Sequence, residues 1–200
     1  MRIKVNIEEL NYGDVAVQAM PIICNYVRQA EDARSQILLA VTQLPDQLVH
    51  QIFDVVGEQQ KNRIVSLLVE ENQQAILNGI AAFLDKNQIG IKIGRICVTE
   101  QLEVLLDVTD INYVGLIQKF LPSVSQRLKG GAGAAGLLSR MAGGGIHSVQ
   151  TILGFIPQDS RDSLAAYLLN LNQQLIAGWI MSEMQNKHIQ LKIKEIVAEV

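Results

Sequence analysis

Charge is scarce in this chain. Of 200 residues only 18% are Asp, Glu, Lys or Arg, and the formal net charge is -3. Residues 1–100 hold 9 basic and 12 acidic side chains, and residues 101–200 hold 8 and 8. Neither half has the basic excess that neutralises a phosphate backbone, so no nucleic-acid partner is expected. Cysteine is nearly absent. Cys24 and Cys97 stand alone without a CxxC pair, which reads as two buried core thiols in a reducing, cytoplasmic setting. The three histidines, His50, His147 and His188, form no HExxH and no His/Cys cluster, so neither metal nor cofactor is expected. No apolar run approaches the roughly 18 residues of a membrane span. The opening Met1-Arg2-Ile3-Lys4-Val5 alternates polar and apolar residues, unlike a signal peptide. No nucleophile elbow or P-loop is present, and the reading leans away from an enzyme.

What the chain does have is a repeat. Residues 52–96 align without a gap on residues 152–196, with eleven of 45 positions identical. Asn72-Gln73-Gln74 returns as Asn172-Gln173-Gln174, and Ile89, Lys92, Ile93 and Ile96 return as Ile189, Lys192, Ile193 and Ile196. Upstream the offset is 101: Asn11-Tyr12 returns as Asn112-Tyr113, and Pro21 as Pro122. A fixed period over a long stretch marks one structural unit used twice. We therefore expect an α+β fold, predominantly helical, of two tandem halves, 1–100 and 101–200. Each half is built as strand, about five helices, strand, and a pseudo-twofold relates them.

Taken in order, residues 2–7 alternate and read as a half-buried strand. Asn11 caps the next helix, with Asp14 at its third position, and Pro21 predicts a kink or a fresh start inside it. Further helices are predicted over 33–43, from Pro45-Asp46 to Gly57, and over 59–70 and 72–86, the last two as separate helices or as one bent helix. Their inward stripes are Leu48, Ile52, Val55, Val56; then Ile64, Leu67, Leu68; then Ile76, Ile80, Phe83, Leu84. The strand at 89–98 slips phase at Gly94-Arg95, and its copy slips at Lys194-Glu195, which predicts a β-bulge at both places. Thr99-Glu100-Gln101 turns the chain into a strand at 102–108, a hairpin across the boundary between the halves. If the halves are related by a twofold, the strand at 189–197 pairs with that at 2–7. The second half follows with a helix over 112–128 around Pro122, and Trp179 reads as core.

One segment breaks the repeat. Residues 130–145 hold seven of the fifteen glycines, whereas the matching residues 29–44 hold none. Gly131, Gly133 and Gly136 have a GxGxxG-like spacing and Arg140 lies nearby, which makes them the candidate ligand-binding residues. Clustered glycines let backbone amides converge on an anion. No lysine follows as in a P-loop, so a loop or a small-residue helix is the plainer reading. The low charge and duplicated plan point first to a non-catalytic interaction or assembly module, acting as a homo-oligomer or with a protein partner. The alternative is a binder of a small apolar or amphipathic molecule between helices and sheet, with the Gly-rich segment as a mobile lid.

Overall fold

The computed structural model describes residues 1–27, 44–124 and 134–200. In chain order these form β1 (Arg2–Leu10), α1 (Tyr12–Val27), α2 (Asp46–Val55), α3 (Glu58–Glu71), α4 (Gln73–Lys86), β2 (Ile91–Val98) and β3 (Glu103–Ile111). Then follow α5 (Tyr113–Val124), α6 (Ala134–Phe155), α7 (Gln158–Leu171), α8 (Gln173–Asn186) and β4 (Leu191–Glu199). The protein is mixed α and β, with one four-stranded antiparallel sheet in the order β2-β3-β1-β4. The helix predicted over 33–43 lies outside the described residues.

Alternation sorts each strand onto two faces. Ile3 and Val5 of β1 are buried beside Leu106 and Val104 of β3, Ile96 and Val98 of β2, and Ala198 and Ile196 of β4. This face joins Leu116, Ile117, Phe120, Leu138, Met141, Leu164 and Leu168 in the main core. The opposite face presents a row of charge, Arg95, Asp107, Arg2 and Glu199, in which Arg2 Nε meets Asp107 at 2.7 Å. Beside it Cys97 lies half-buried in a row with Leu105, Lys4 and Val197, so this thiol belongs to the outer face and not to the core.

The first and last strands pair, from Arg2↔Glu199 to Leu10↔Leu191. Register shifts fall at Ile93/Arg95 in β2 and between Ile193 and Glu195 in β4, where the phase of the sequence slips. The hairpin from Val98 to Val104 closes through Leu102, whose φ of 58° is left-handed. That conformation costs a bulky residue about 1 kcal/mol or more. The Leu102 side chain offsets it by burial against Val65 and Val98.

Side chains bond several outward backbone groups of the edge strands. On β2, Gln73 Nε2 donates to the Ile96 carbonyl at 3.0 Å and Ser66 Oγ to the Val98 carbonyl at 2.9 Å. On β4, Asn170 imitates a further strand: its Oδ1 accepts the Ala198 N–H at 2.7 Å and its Nδ2 donates to the Ala198 carbonyl at 3.0 Å. Backbone groups that would otherwise recruit another chain are thereby occupied.

Helices α4 and α8 end alike. Ile89 N–H bonds the Leu84 carbonyl and Gln88 N–H the Asp85 carbonyl; Ile189 and His188 do the same with Met184 and Gln185. This is the Schellman pattern, with Gln88 (φ 56°) and His188 (φ 57°) where glycine is usual.

Two expectations of inward stripes need correction. The stripe Leu48, Ile52, Val55 of α2 was placed inward, but Leu48 and Ile52 are each 43% exposed and Val55 is 84% exposed. The helix turns Val49 inward instead, and places the half-buried His50 against Asp14 on α1. On α3, Leu67 faces out and Val65 faces in. Of the two plainer readings of the Gly-rich segment, loop or small-residue helix, the helix holds from Ala134 onward. Each glycine in a helix costs about 1 kcal/mol, and the burial of Leu138, Met141, Val149 and Leu153 on the same helix works against that cost. Both prolines also sit within helices. α1 and α5 run across Pro21 and Pro122, and α5 is held by Leu116, Ile117 and Phe120, which are buried.

Candidate functional site

Two clefts of about 490 Å³ open at the places where a central strand turns into a helix beside the start of an edge strand. The first is lined by Glu9, Tyr12, His50, Phe53, Lys61 and Lys192, among others. The second is lined by Asp85, Gln88, Gly90, Asn112, Gln118 and Lys119, among others. Each is built on an asparagine. Asn11 Oδ1 accepts the Asp14 N–H at 3.1 Å and Asn112 Oδ1 accepts the Gly115 N–H at 2.9 Å, so both cap their helices. The Asn11 N–H donates to the Gln190 carbonyl at 3.0 Å, and that of Asn112 to the Gly90 carbonyl at 2.7 Å.

The first cleft holds the denser chemistry. His50 Nδ1 donates to the Asp46 carbonyl at 2.8 Å, one turn back in its own helix. Its Nε2 lies 2.9 Å from Asp14 Oδ1. Asp14 Oδ2 accepts the Gln190 N–H at 2.9 Å, so one carboxylate binds α2, α1 and the approach to β4 together. Gly13 makes the approach possible, since a Cβ there would lie 2.3 Å from His50 Cδ2. The Asp14 carboxylate, then the Asp46 carbonyl, raise the pKa of His50 above the usual imidazole value by stabilising its charged form.

The tyrosines beside the clefts are tied down. Tyr12 O–H donates to Asn62 Oδ1 at 2.5 Å, and Asn62, a buried polar residue, donates to the Glu100 carbonyl at 2.7 Å. Tyr113 O–H donates to Asp162 Oδ1 at 2.5 Å and accepts from Gln158. Burial first, then the Asp162 carboxylate, push the Tyr113 phenol up to about 12. A phenol so placed is a poor acid at neutral pH. His50 has both ring nitrogens occupied, so it has no free lone pair to offer a substrate as a general base.

The candidate residues read from the sequence do not assemble here. Gly136, half-buried, and Arg140, exposed, lie on α6 and line neither cleft. Gly131 and Gly133 lie outside the described residues. Trp179 borders the core, its ring stacked on Phe120 at 6.1 Å between centroids, with Lys119 Nζ 5.1 Å above it. Sequence reasoning missed His50 as a partner of Asp14, because 36 residues separate them and no motif links them. The signal available was the capped Asn11-Tyr12-Gly13-Asp14 turn, whose glycine leaves space for a ring. Compared with known protein families, curated proteins and solved structures, the chain matches no family model, no protein and no structure.

Proposed function

We propose that this chain is a non-catalytic interaction or assembly module, descended from a shorter unit that worked as a pair. The observation that carries the reading is the register of β1 on β3: Arg2↔Asp107, Lys4↔Leu105, Asn6↔Glu103. Adding 101 to each β1 residue, and subtracting it from its partner, turns the first of these pairs into the last. The ladder thus reads the same from either half, as it does about the axis of a homodimer. Matched contacts support the same reading: Tyr12 with Asn62 and Tyr113 with Asp162; Asn72 on the Leu68 carbonyl and Asn172 on the Leu168 carbonyl; and the two Schellman ends.

For the interaction itself, the support is the exposed stripe Leu48, Ile52 and Val55 on α2. Its i, i+4, i+7 spacing puts all three on one helix face. A chain with little charge to repel its own copies is suited to self-association through such a face. Because side chains occupy backbone groups of Ile96, Val98 and Ala198 on the two sheet edges, this reading assigns association to the helical layer and not to strand addition. The alternative of an apolar ligand between helices and sheet gains no support from the described residues, where Leu116, Phe120, Leu138, Leu164 and Leu168 are at most 1% exposed. The test is native mass spectrometry with light scattering over a concentration series. Dimers or larger species are expected, and Ile52→Glu with Val55→Glu dissolves them. A strict monomer at every concentration refutes the reading.

A further inference from the structure

We propose that the Asp14–His50 contact is a proton-operated clip: α2 is held more tightly on α1 while His50 carries a proton on both ring nitrogens, and less tightly when one is lost. The argument starts from the two partners. A carboxylate oxygen of Asp14 and a backbone carbonyl of Asp46 are both acceptors only, 2.9 and 2.8 Å from the ring. Only the imidazolium satisfies both. A neutral ring has one donor, so whichever nitrogen loses its proton then points a lone pair at an oxygen.

Among the described residues, Val49 is the one buried side chain of α2, and its apolar stripe Leu48, Ile52 and Val55 faces outward. The carboxylate that grips it is in turn fixed by the Gln190 amide, so the clip joins three elements at one point. Among the described residues, the charged groups acting on the ring are Asp14 on α1 and Asp46 on α2, and Glu9 on β1, Asp54 on α2, Lys61 on α3 and Lys192 on β4 line the same cleft. Of the lysines, Lys192 is engaged by Glu8 and Glu9 at 3.1 and 3.6 Å, and Lys61 lies over the Tyr12 ring at 5.5 Å. The carboxylates thus dominate at His50, in accord with its raised pKa. The sign follows. A histidine whose pKa is higher in the fold stabilises it fully below about 6.5, the free value, and the contribution is lost as pH rises through the folded value. The clip is tighter in mild acid and looser in mild base.

The second half supplies an internal control. At the positions matching Asp14 and His50 it has Gly115 and Gln150, and α6 is held instead by buried Leu138, Met141, Val149 and Leu153. Residue-resolved amide exchange on the full chain from pH 5.5 to 8.5, expressed as protection over the intrinsic rate, tests the proposal, with His50 followed by NMR in the same samples. Protection across 46–55 is expected to fall roughly two- to fivefold, the range for a half-exposed ion pair, with the midpoint of the His50 titration. Protection across 148–155 is expected to stay level. Asp14→Asn lowers the His50 midpoint and moves the α2 transition with it, whereas His50→Gln abolishes the transition. Protection of α2 that ignores the wild-type His50 titration, or a transition that persists in His50→Gln, overturns the proposal. The wild-type titration alone decides if a variant fails to fold. The outcome does not depend on whether the chain self-associates, since the readout is the seating of α2 within one copy.

Discussion

Helices α2 to α4 and α6 to α8 occupy matching stretches of the chain, yet they are built to different depths. α7 buries Leu164, Ala165, Ala166, Leu168 and Leu169, whereas its counterpart α3 buries only Asn62 and Val65. α8 buries Ile176 and Ala177 and sets Trp179 against Phe120; α4 buries no residue and has Gly79 in place of the tryptophan. Where the second half has Ala166, the first has Ser66, and where it has Leu171, the first has Glu71. The contacts to the sheet edges are nonetheless kept on both sides. Polar contacts fix where a helix lies, and apolar volume fixes how firmly it is held. The lightly packed stretch carries the exposed stripe and the Asp14–His50 contact; the densely packed one carries more of the buried apolar residues.

Matched substitutions put that contrast at risk. Leu168, fully buried, and Leu68, half-buried, occupy the same position in the two layers. Leu168→Ala is expected to cost about 2–5 kcal/mol through lost burial and the cavity left behind. Leu68→Ala is expected to cost about 1 kcal/mol, since partly exposed surface forfeits less. Chemical denaturation measures both, and equal losses would erase the contrast. Next in size is Asn170→Ala. It strips both hydrogen bonds from Ala198 and is expected to cost roughly 1–3 kcal/mol. It also opens the β4 edge, so aggregation followed by light scattering should rise. Smallest is the relief of left-handed strain. Gln88→Gly and His188→Gly should each raise stability by about 0.5–1 kcal/mol. Because both helix ends have the same geometry, the two gains should match, in contrast to the leucine pair.

Much of the frame was legible from residue patterns. The alternation of Ile3 and Val5, the phase slip at Gly94-Arg95 and the cap at Asn11 each express a local rule, and each has its counterpart in the strands, register shifts and helix start observed. The orientation of α2 was not legible. Leu48, Ile52 and Val55 have the spacing of an inward stripe, but that face lies outward, while Val49 and the His50–Asp14 contact lie on the side towards α1. Helical periodicity shows that a face exists and says nothing of what lies beneath it. The same holds for Gly136 to Gly145. Glycine content signals backbone freedom, whereas the neighbouring Leu138 and Met141 supply the burial that makes a helix of it. The site was hidden for a related reason. Neither a lone histidine nor a lone aspartate is informative until folding brings them within 2.9 Å.

Because Arg2 faces Glu199 across the ladder, the sheet does not depend on the order in which its strands are threaded. A short glycine-serine bridge between Val200 and Met1, with new ends cut at the exposed Glu100–Gln101 turn, leaves every strand neighbour as it is. The geometry of this protein is therefore closed like a ring, and the place where the ring is opened is interchangeable.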